Sequence, residues 1–240
     1  MITKAVIFAA GRGTRMRELT KDKHPKHLIE IHGRPFLSYV FDFLLEVGLK
    51  QLIVVVGHQA QPLIEWLEES DYPVTIVNQF AVVGEEKYGT ACAIMAVKDF
   101  IENEEFLALN GDNLYSAEDL RRFLNEDGMN YIGGLKVPEP SNYGILKTDE
   151  QDFLQEIIEK PKNFVGDLAN VGLYKFTPEI FRAIETVKLS PRKEYEITDA
   201  VTLLAREHSV KVLRIKEAWH DFGRPEDVVT ISHFIEQHKK

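Results

Sequence analysis

Apolar and polar positions along this chain fall into blocks whose period changes regularly. Residues 5–10 form an apolar, β-prone run that ends abruptly in Gly11-Arg12-Gly13-Thr14-Arg15, predicting a first strand and a tight turn. From Pro35 to Gly48, apolar residues at 36, 37, 40, 41, 44 and 45 follow helical spacing, with proline at the start and glycine at the stop. Residues 52–56 are continuously apolar, as in a strand buried on both faces. The pattern then predicts a helix over 62–69, a strand over 73–78, a loop over 80–88, a helix over 89–101 and a strand over 105–109. Strand and helix alternating at this spacing imply a mostly parallel sheet with helices on both faces.

Beyond Ser116, which caps a short helix, the alternation breaks. Residues 131–137, 145–148 and 153–159 read as antiparallel strands joined by turns, so a second, smaller lobe is expected from about Tyr131. Thr177-Pro178-Glu179 opens a helix. Trp219-His220-Asp221 reads as extended, which puts Trp219 and Asp221 on one face, and Pro225 opens a closing helix through Phe234. The expected division is a single domain over 1–240, with a nucleotide-binding half (1–112) and a second half (113–240). No repeat, low-complexity stretch or flexible linker interrupts it, and no hexapeptide repeat of a C-terminal β-helix is present.

Composition narrows the class. The 240 residues are 44% hydrophobic, enough for a substantial core. A net charge of −9 argues against general nucleic-acid binding. The single cysteine, Cys92, excludes an internal disulfide and suits a reducing compartment. No apolar run approaches the roughly 18 residues of a membrane span, and no signal-peptide core precedes the first strand. A cytoplasmic protein without membrane partners is the expectation.

Charge is concentrated against this acidic background. Between Gly11 and Arg34 stand seven basic residues (12, 15, 17, 21, 23, 26, 34) and three acidic ones (18, 22, 30). Glycines let a turn present its N–H groups to an anion, and Arg15 and Lys26 add a forked and a point donor. The stretch reads as a polyphosphate site. It is not a dinucleotide fingerprint, because Met16 occupies the third glycine position, nor a Walker A loop. In open α/β sheets, ligands lie beyond the carboxyl ends of the strands, where Gln79 and Asp112 fall. A triphosphate also implies Mg²⁺, which takes few protein carboxylates. Gln79 can accept from the N3–H of uracil or thymine, favouring UTP or dTTP over CTP, ATP or GTP.

Ala9-Ala10-Gly11-Arg12-Gly13-Thr14-Arg15 with Pro25-Lys26 resembles the signature of the sugar-1-phosphate nucleotidyltransferases, nearest to the glucose-1-phosphate thymidylyl and uridylyl branch. Asn142-Tyr143-Gly144-Ile145, Glu159-Lys160-Pro161, Asn170-Val171-Gly172-Leu173-Tyr174, Glu196-Ile-Thr-Asp199 and Trp219-His-Asp221-Phe-Gly223-Arg-Pro225 follow in that family's order across nearly the whole chain. The resemblance implies an α/β fold: a Rossmann-like three-layer sandwich with a mixed, mostly parallel sheet and a small antiparallel sugar-binding lobe. The implied reaction converts a nucleoside triphosphate and a sugar-1-phosphate, glucose-1-phosphate first among them, into a nucleotide sugar and pyrophosphate. Mg²⁺ is the implied cofactor, and a homo-oligomer is compatible with the family.

The resemblance assigns Ala10, Gly11, Gly13, Thr14, Arg15, Lys26, Gln79, Gly84, Gly89, Thr90, Asp112 and Arg192 to the nucleotide. Asn113, Tyr143, Gly144, Glu159, Lys160, Asn170, Val171 and Thr198 go to the sugar phosphate. Asp112 and Asp221 are its metal ligands, and Arg15, Lys26, Asp112, Lys160 and Asp221 its catalytic set. The nucleophile is the acceptor's own ionised phosphate oxygen, so no general base is required, consistent with a sequence that offers no Ser/His/Asp or Cys/His arrangement. Two readings compete: a different phosphorylated acceptor such as phosphocholine, and a silent subunit that only senses a nucleotide sugar. Glu159-Lys160-Pro161 favours a sugar, and Arg15, Lys26, Asp112 and Asp221 together favour an enzyme. Trp66 and Cys92 read as packing residues, and His27 has no assigned role.

Overall fold

The computed structural model describes every residue except 12, 14, 15, 17–23, 102, 239 and 240. Its strands are β1 (Lys4–Ala9), the two-residue pair β2 (Glu30–Ile31) and β3 (Arg34–Pro35), β4 (Gln51–Val56), β5 (Val74–Asn78), β6 (Phe106–Asn110) and β7 (Asn113–Tyr115). After these come β8 (Asn130–Lys136), β9 (Gly144–Thr148), β10 (Leu154–Glu159), β11 (Leu168–Phe176), β12 (Val210–Arg214) and β13 (Trp219–Asp221). The helices are α1 (Phe36–Glu46), α2 (Gln61–Glu69), α3 (Gln79–Val83), α4 (Thr90–Ala96), α5 (Lys98–Ile101), α6 (Ala117–Arg121), α7 (Glu179–Ile184), α8 (Ile197–Arg206) and α9 (Asp227–His238).

Among the described residues, nine strands form one mixed sheet. Its first half is the expected doubly wound unit, with β4 and β6 flanking β1 and β5 beyond β4, all parallel. The second half joins through β11, which runs antiparallel to β6 and also pairs with β8 and β9. The antiparallel strands expected from residue 131 therefore continue the same sheet.

Period two in β1 sorts the core. Ala5, Ile7 and Ala9 face a cluster built with α1, α2 and α9, including Phe36, Phe41, Leu63, Ile231 and Phe234. Val6 and Phe8 face the other cluster, with Ala93, Ile94, Ile180, Val201 and Leu204 from α4, α7 and α8. Layers of helix, sheet and helix result.

Two predicted boundaries shift for local reasons. The expected loop over 80–88 begins as helix α3, because the Asn78 side chain accepts from the N–H groups of Phe80 and Ala81 and so caps it. The helix expected over 89–101 divides at Val97 into α4 and α5. No helix among the described residues is long and apolar enough to cross a membrane.

Candidate functional site

The carboxyl ends of β1 and β6 lie side by side, which places Ala10 and Gly11 next to the Asn110-Gly111-Asp112 turn. Gly13 adopts φ +58°, and a Cβ there would lie 3.9 Å from Lys26 Cγ. Lys26 therefore lies against Gly13, and its Nζ donates to Asp112 Oδ2. Burial alone would raise the Asp112 carboxyl, but the adjacent Lys26 charge and its hydrogen bond hold it below the ordinary value. Thr14 and Arg15 lie outside the described residues.

A short antiparallel ladder brings the second acidic residue to the same place. In β7–β13, Asp221 stands opposite Asn113, and the Phe222 N–H donates to Asp112 O at 2.8 Å. Two aspartates separated by more than a hundred residues are thus joined through their backbones, and their carboxylates face one cleft. They are hard oxygen donors, and Mg²⁺ needs only one or two such ligands besides phosphate and water. No cluster of three or more metal-binding side chains occurs among the described residues.

Asp112 and Asp221 open into a cleft of about 810 Å³ whose walls include Asn113, Tyr143, Gly144, Glu159, Lys160, Asn170 and Val171. Asn113 Nδ2 and the Tyr115 hydroxyl both donate to Val171 O, at 2.8 and 2.7 Å. Asn170 Oδ1 accepts from Gly172 N at 2.9 Å. Gly144 leaves room for Glu159: a Cβ on it would stand 2.8 Å from Glu159 Oε2. The Lys160 N–H donates to Tyr143 O at 3.0 Å, and Tyr143 meets Trp219 edge to face at 5.5 Å.

Other expected residues stand apart from this cleft. Gln79 is the first residue of α3, 1% exposed, and its Nε2 is buried without a partner among the described residues. Gly84 ends α3 with φ +89°. Gly89 lies against the Tyr195 backbone, with 2.3 Å from its Cβ position to Tyr195 O, and Thr90 Oγ1 accepts from Ile197 N at 2.9 Å. These two residues hold the segment leading into α8, whose first turn carries Thr198. Arg192 does not line the cleft; its guanidinium binds Glu196 at 2.9 Å and Glu159 at 3.2 Å.

The cleft also contains residues that the sequence reading left unassigned, among them Asn110, Gly172, Trp219, Arg224 and Asp227. Trp219 could have been found, since it shares the face of Asp221 in an extended segment. Gly172 could not: it has φ +71°, and a Cβ would fall 2.2 Å from Asn110 Nδ2, a contact visible only once β11 lies beside β6. His27 is 2% exposed, and burial together with Lys26 pushes its imidazole down to about 4, so it is neutral. Cys92 is buried, which pushes its thiol up to about 11, so it is no nucleophile.

Residues 4–238 match the family model described as nucleotidyl transferase. The chain is 37% identical to the UTP–glucose-1-phosphate uridylyltransferase AglF of Haloferax volcanii over 233 residues, 93% of both chains. It is 33% identical to the bifunctional protein GlmU of Methanocaldococcus jannaschii over 96% of this chain, and the match spans only 54% of that protein. In structure it resembles a UDP-glucose pyrophosphorylase complexed with UDP-glucose, with a TM-score of 0.85, 23% identity and full coverage of both chains. A UDP-glucose pyrophosphorylase from Acinetobacter baumannii gives a TM-score of 0.81 at 25% identity, over 100% of this chain and 95% of that one. The chain belongs to the nucleotidyl transferase family.

Proposed function

We propose that this protein transfers a nucleotidyl group from UTP or dTTP to a sugar-1-phosphate, glucose-1-phosphate foremost, and releases pyrophosphate. One observation carries the reading: Asp112, Asp221 and Lys26 converge at one end of a cleft whose walls carry Glu159, Lys160 and Asn170. The match to a UTP–glucose-1-phosphate uridylyltransferase over 93% of both chains supports the same acceptor.

The chemistry is one displacement. A non-bridging oxygen of the sugar phosphate attacks the α-phosphorus of the triphosphate. The new O–P bond forms as the bond to the β-phosphate oxygen breaks, and its electron pair leaves with pyrophosphate. The attacking oxygen is already ionised at neutral pH, so no protein base has to act. Catalysis then rests on positioning and on neutralising charge.

In this reading Gly11, Gly13, Thr14, Arg15 and Lys26 hold the triphosphate, and Lys26 offsets the charge that builds on the leaving group. Lys160 pairs with the sugar phosphate, while Glu159 and Asn170 bond the sugar hydroxyls. Tyr143, Gly144, Val171 and Asn113 shape the pocket. Gln79 reads the base, and its buried Nε2, without a partner among the described residues, is supporting evidence, since a pyrimidine carbonyl would satisfy it. Asp112 and Asp221 would hold Mg²⁺, which polarises the α-phosphorus and draws two anions together.

Pyrophosphate release across a matrix of five nucleoside triphosphates and several sugar-1-phosphates tests the proposal. Turnover with UTP or dTTP and a sugar phosphate supports it. Turnover only with phosphocholine, or none with any acceptor at saturating Mg²⁺, overturns it.

A further inference from the structure

His27 takes no part in the roles above, yet it is a polar side chain in the interior, 2% exposed, on the single turn Lys26–Leu28. Its imidazole packs against Gly111: a Cβ there would lie 3.3 Å from His27 Nε2, and 2.9 Å from both Ile7 Cγ2 and Phe8 O. The ring therefore fills the space between the turn that begins with Lys26 and the backbone one residue before Asp112. Gly111 is also pinned through its N–H, which donates to Phe8 O at 2.9 Å. Lys26 and Asp112, the two groups that meet in a hydrogen bond, are thus spaced by one buried side chain covalently adjacent to the first and in contact with the turn of the second.

One of the two ring nitrogens is without a use among the described residues. His27 Nδ1 is buried and has no partner among the described residues, and an unpaired buried polar atom destabilises a fold. The geometry gives the ring a task as a spacer of fixed size, and gives Nδ1 no partner among the described residues.

We propose that His27 is a positioning residue: its bulk, held between the Lys26 turn and Gly111, sets the separation of Lys26 and Asp112 that nucleotidyl transfer requires. The inference rests on the transfer reaction proposed above and goes beyond it by assigning a residue that touches neither substrate. Displacements of about 1 Å at reacting groups cost on the order of a hundredfold in rate, so loss of the spacer is read in turnover. Because only the Lys26–Asp112 side is affected, the acceptor wall of Glu159, Lys160 and Asn170 keeps its geometry.

The test compares His27→Ala, which removes the bulk, with His27→Leu, which keeps a similar volume without nitrogen. The expected result for His27→Ala is a fall in kcat of about tenfold to a hundredfold. Its calorimetric affinity for Mg·UTP, measured without acceptor, weakens several-fold, while KM for the sugar phosphate stays within about twofold. His27→Leu restores kcat to near the wild-type value and raises the thermal midpoint. Should His27→Ala not fold, His27→Asn, which also shortens the side chain, replaces it. A folded short variant with wild-type kcat and Mg·UTP affinity would overturn the proposal by showing a purely structural role. So would a His27→Leu protein as impaired as the short variant, because the nitrogen and not the bulk would then matter. Wild-type turnover in the same assay tests the reaction itself, and the ratio of variant to wild type tests His27.

Discussion

At the scale of single residues, the account turns on two carboxylates with the same proposed task. Asp112→Asn and Asp221→Asn each remove a negative charge from a site suited to a divalent cation, and an amide is a poorer Mg²⁺ ligand. Each is expected to lower kcat by about a hundredfold or more in a protein that still folds, Asp112→Asn with a lowered thermal midpoint because Lys26 loses its ion-pair partner. Near-normal turnover of either variant at saturating Mg²⁺ would show that the metal assignment is misplaced. Gln79 makes a second residue-level claim. Steady-state specificity constants should favour UTP or dTTP over CTP by about one or two powers of ten, the cost of leaving a buried donor or acceptor unpaired. A preference for CTP or GTP over both would sink the role given to Gln79 and leave the transferase reading standing. That Asp112, Lys160 and Asp221 share one cleft was legible in the sequence because each lies in a short motif at a strand end or turn. Gly172 was not, since its need for a bare Cα comes from Asn110 on a neighbouring strand.

Among the elements, α6 and β13 show how a distant side chain places Asp221. Asp119 in α6 is fully buried and accepts from the N–H groups of Lys216 and Glu217, both at 2.9 Å, and from Ser116 Oγ at 3.0 Å. It fixes the turn that enters β13 just ahead of Asp221. Burial alone would raise its carboxyl, but the backbone donors of Lys216 and Glu217 and the Ser116 hydroxyl hold it below the ordinary value. Its stabilisation is therefore complete above the unfolded value near 3.8 and disappears as pH falls through the lower folded value. Asp119→Ala is expected to destabilise by on the order of 3 kcal/mol, since several backbone N–H groups lose their acceptor. Thermal midpoints of Asp119→Asn and wild type should draw together below about pH 3.8; a gap that persists into strong acid would contradict the assignment. The sequence announced the Ser116 cap but not this second use of Asp119, whose partners lie almost a hundred residues away.

Across the whole molecule, the nine-stranded sheet brings Asn110 of β6 and Gly144, Glu159 and Asn170 of β9, β10 and β11 to one cleft, to which the separate β7–β13 pair adds Asn113 and Asp221. The alternation of strand and helix in the parallel half was legible because continuous apolar runs alternated with helical spacing. The joining of the antiparallel strands to that half was not, since the pairing of β11 with β6 connects residues far apart in the chain. Stability and chemistry are also separated along that sheet. At the end of β11 remote from Asp112, Lys175 is fully buried against Glu105 at 2.6 Å and Asp127 at 2.5 Å. Lys175→Ala leaves Glu105 and Asp127 facing each other and is expected to cost about 3–5 kcal/mol. The protein that remains folded should keep its kcat; chemical denaturation and turnover measured on one preparation check both halves of that statement.

The central claim is that the acceptor's own phosphate oxygen attacks the α-phosphorus at the strand end carrying Asp112 and Asp221. Glucose-1-phosphate labelled with ¹⁸O in its phosphate, incubated with UTP, Mg²⁺ and enzyme and followed by mass spectrometry, tests it most directly. The account predicts a nucleotide sugar that retains the entire label, one labelled oxygen now bridging the two phosphorus atoms, and unlabelled pyrophosphate. Label appearing in pyrophosphate, or UTP cleaved at the same rate without any sugar phosphate, would contradict it.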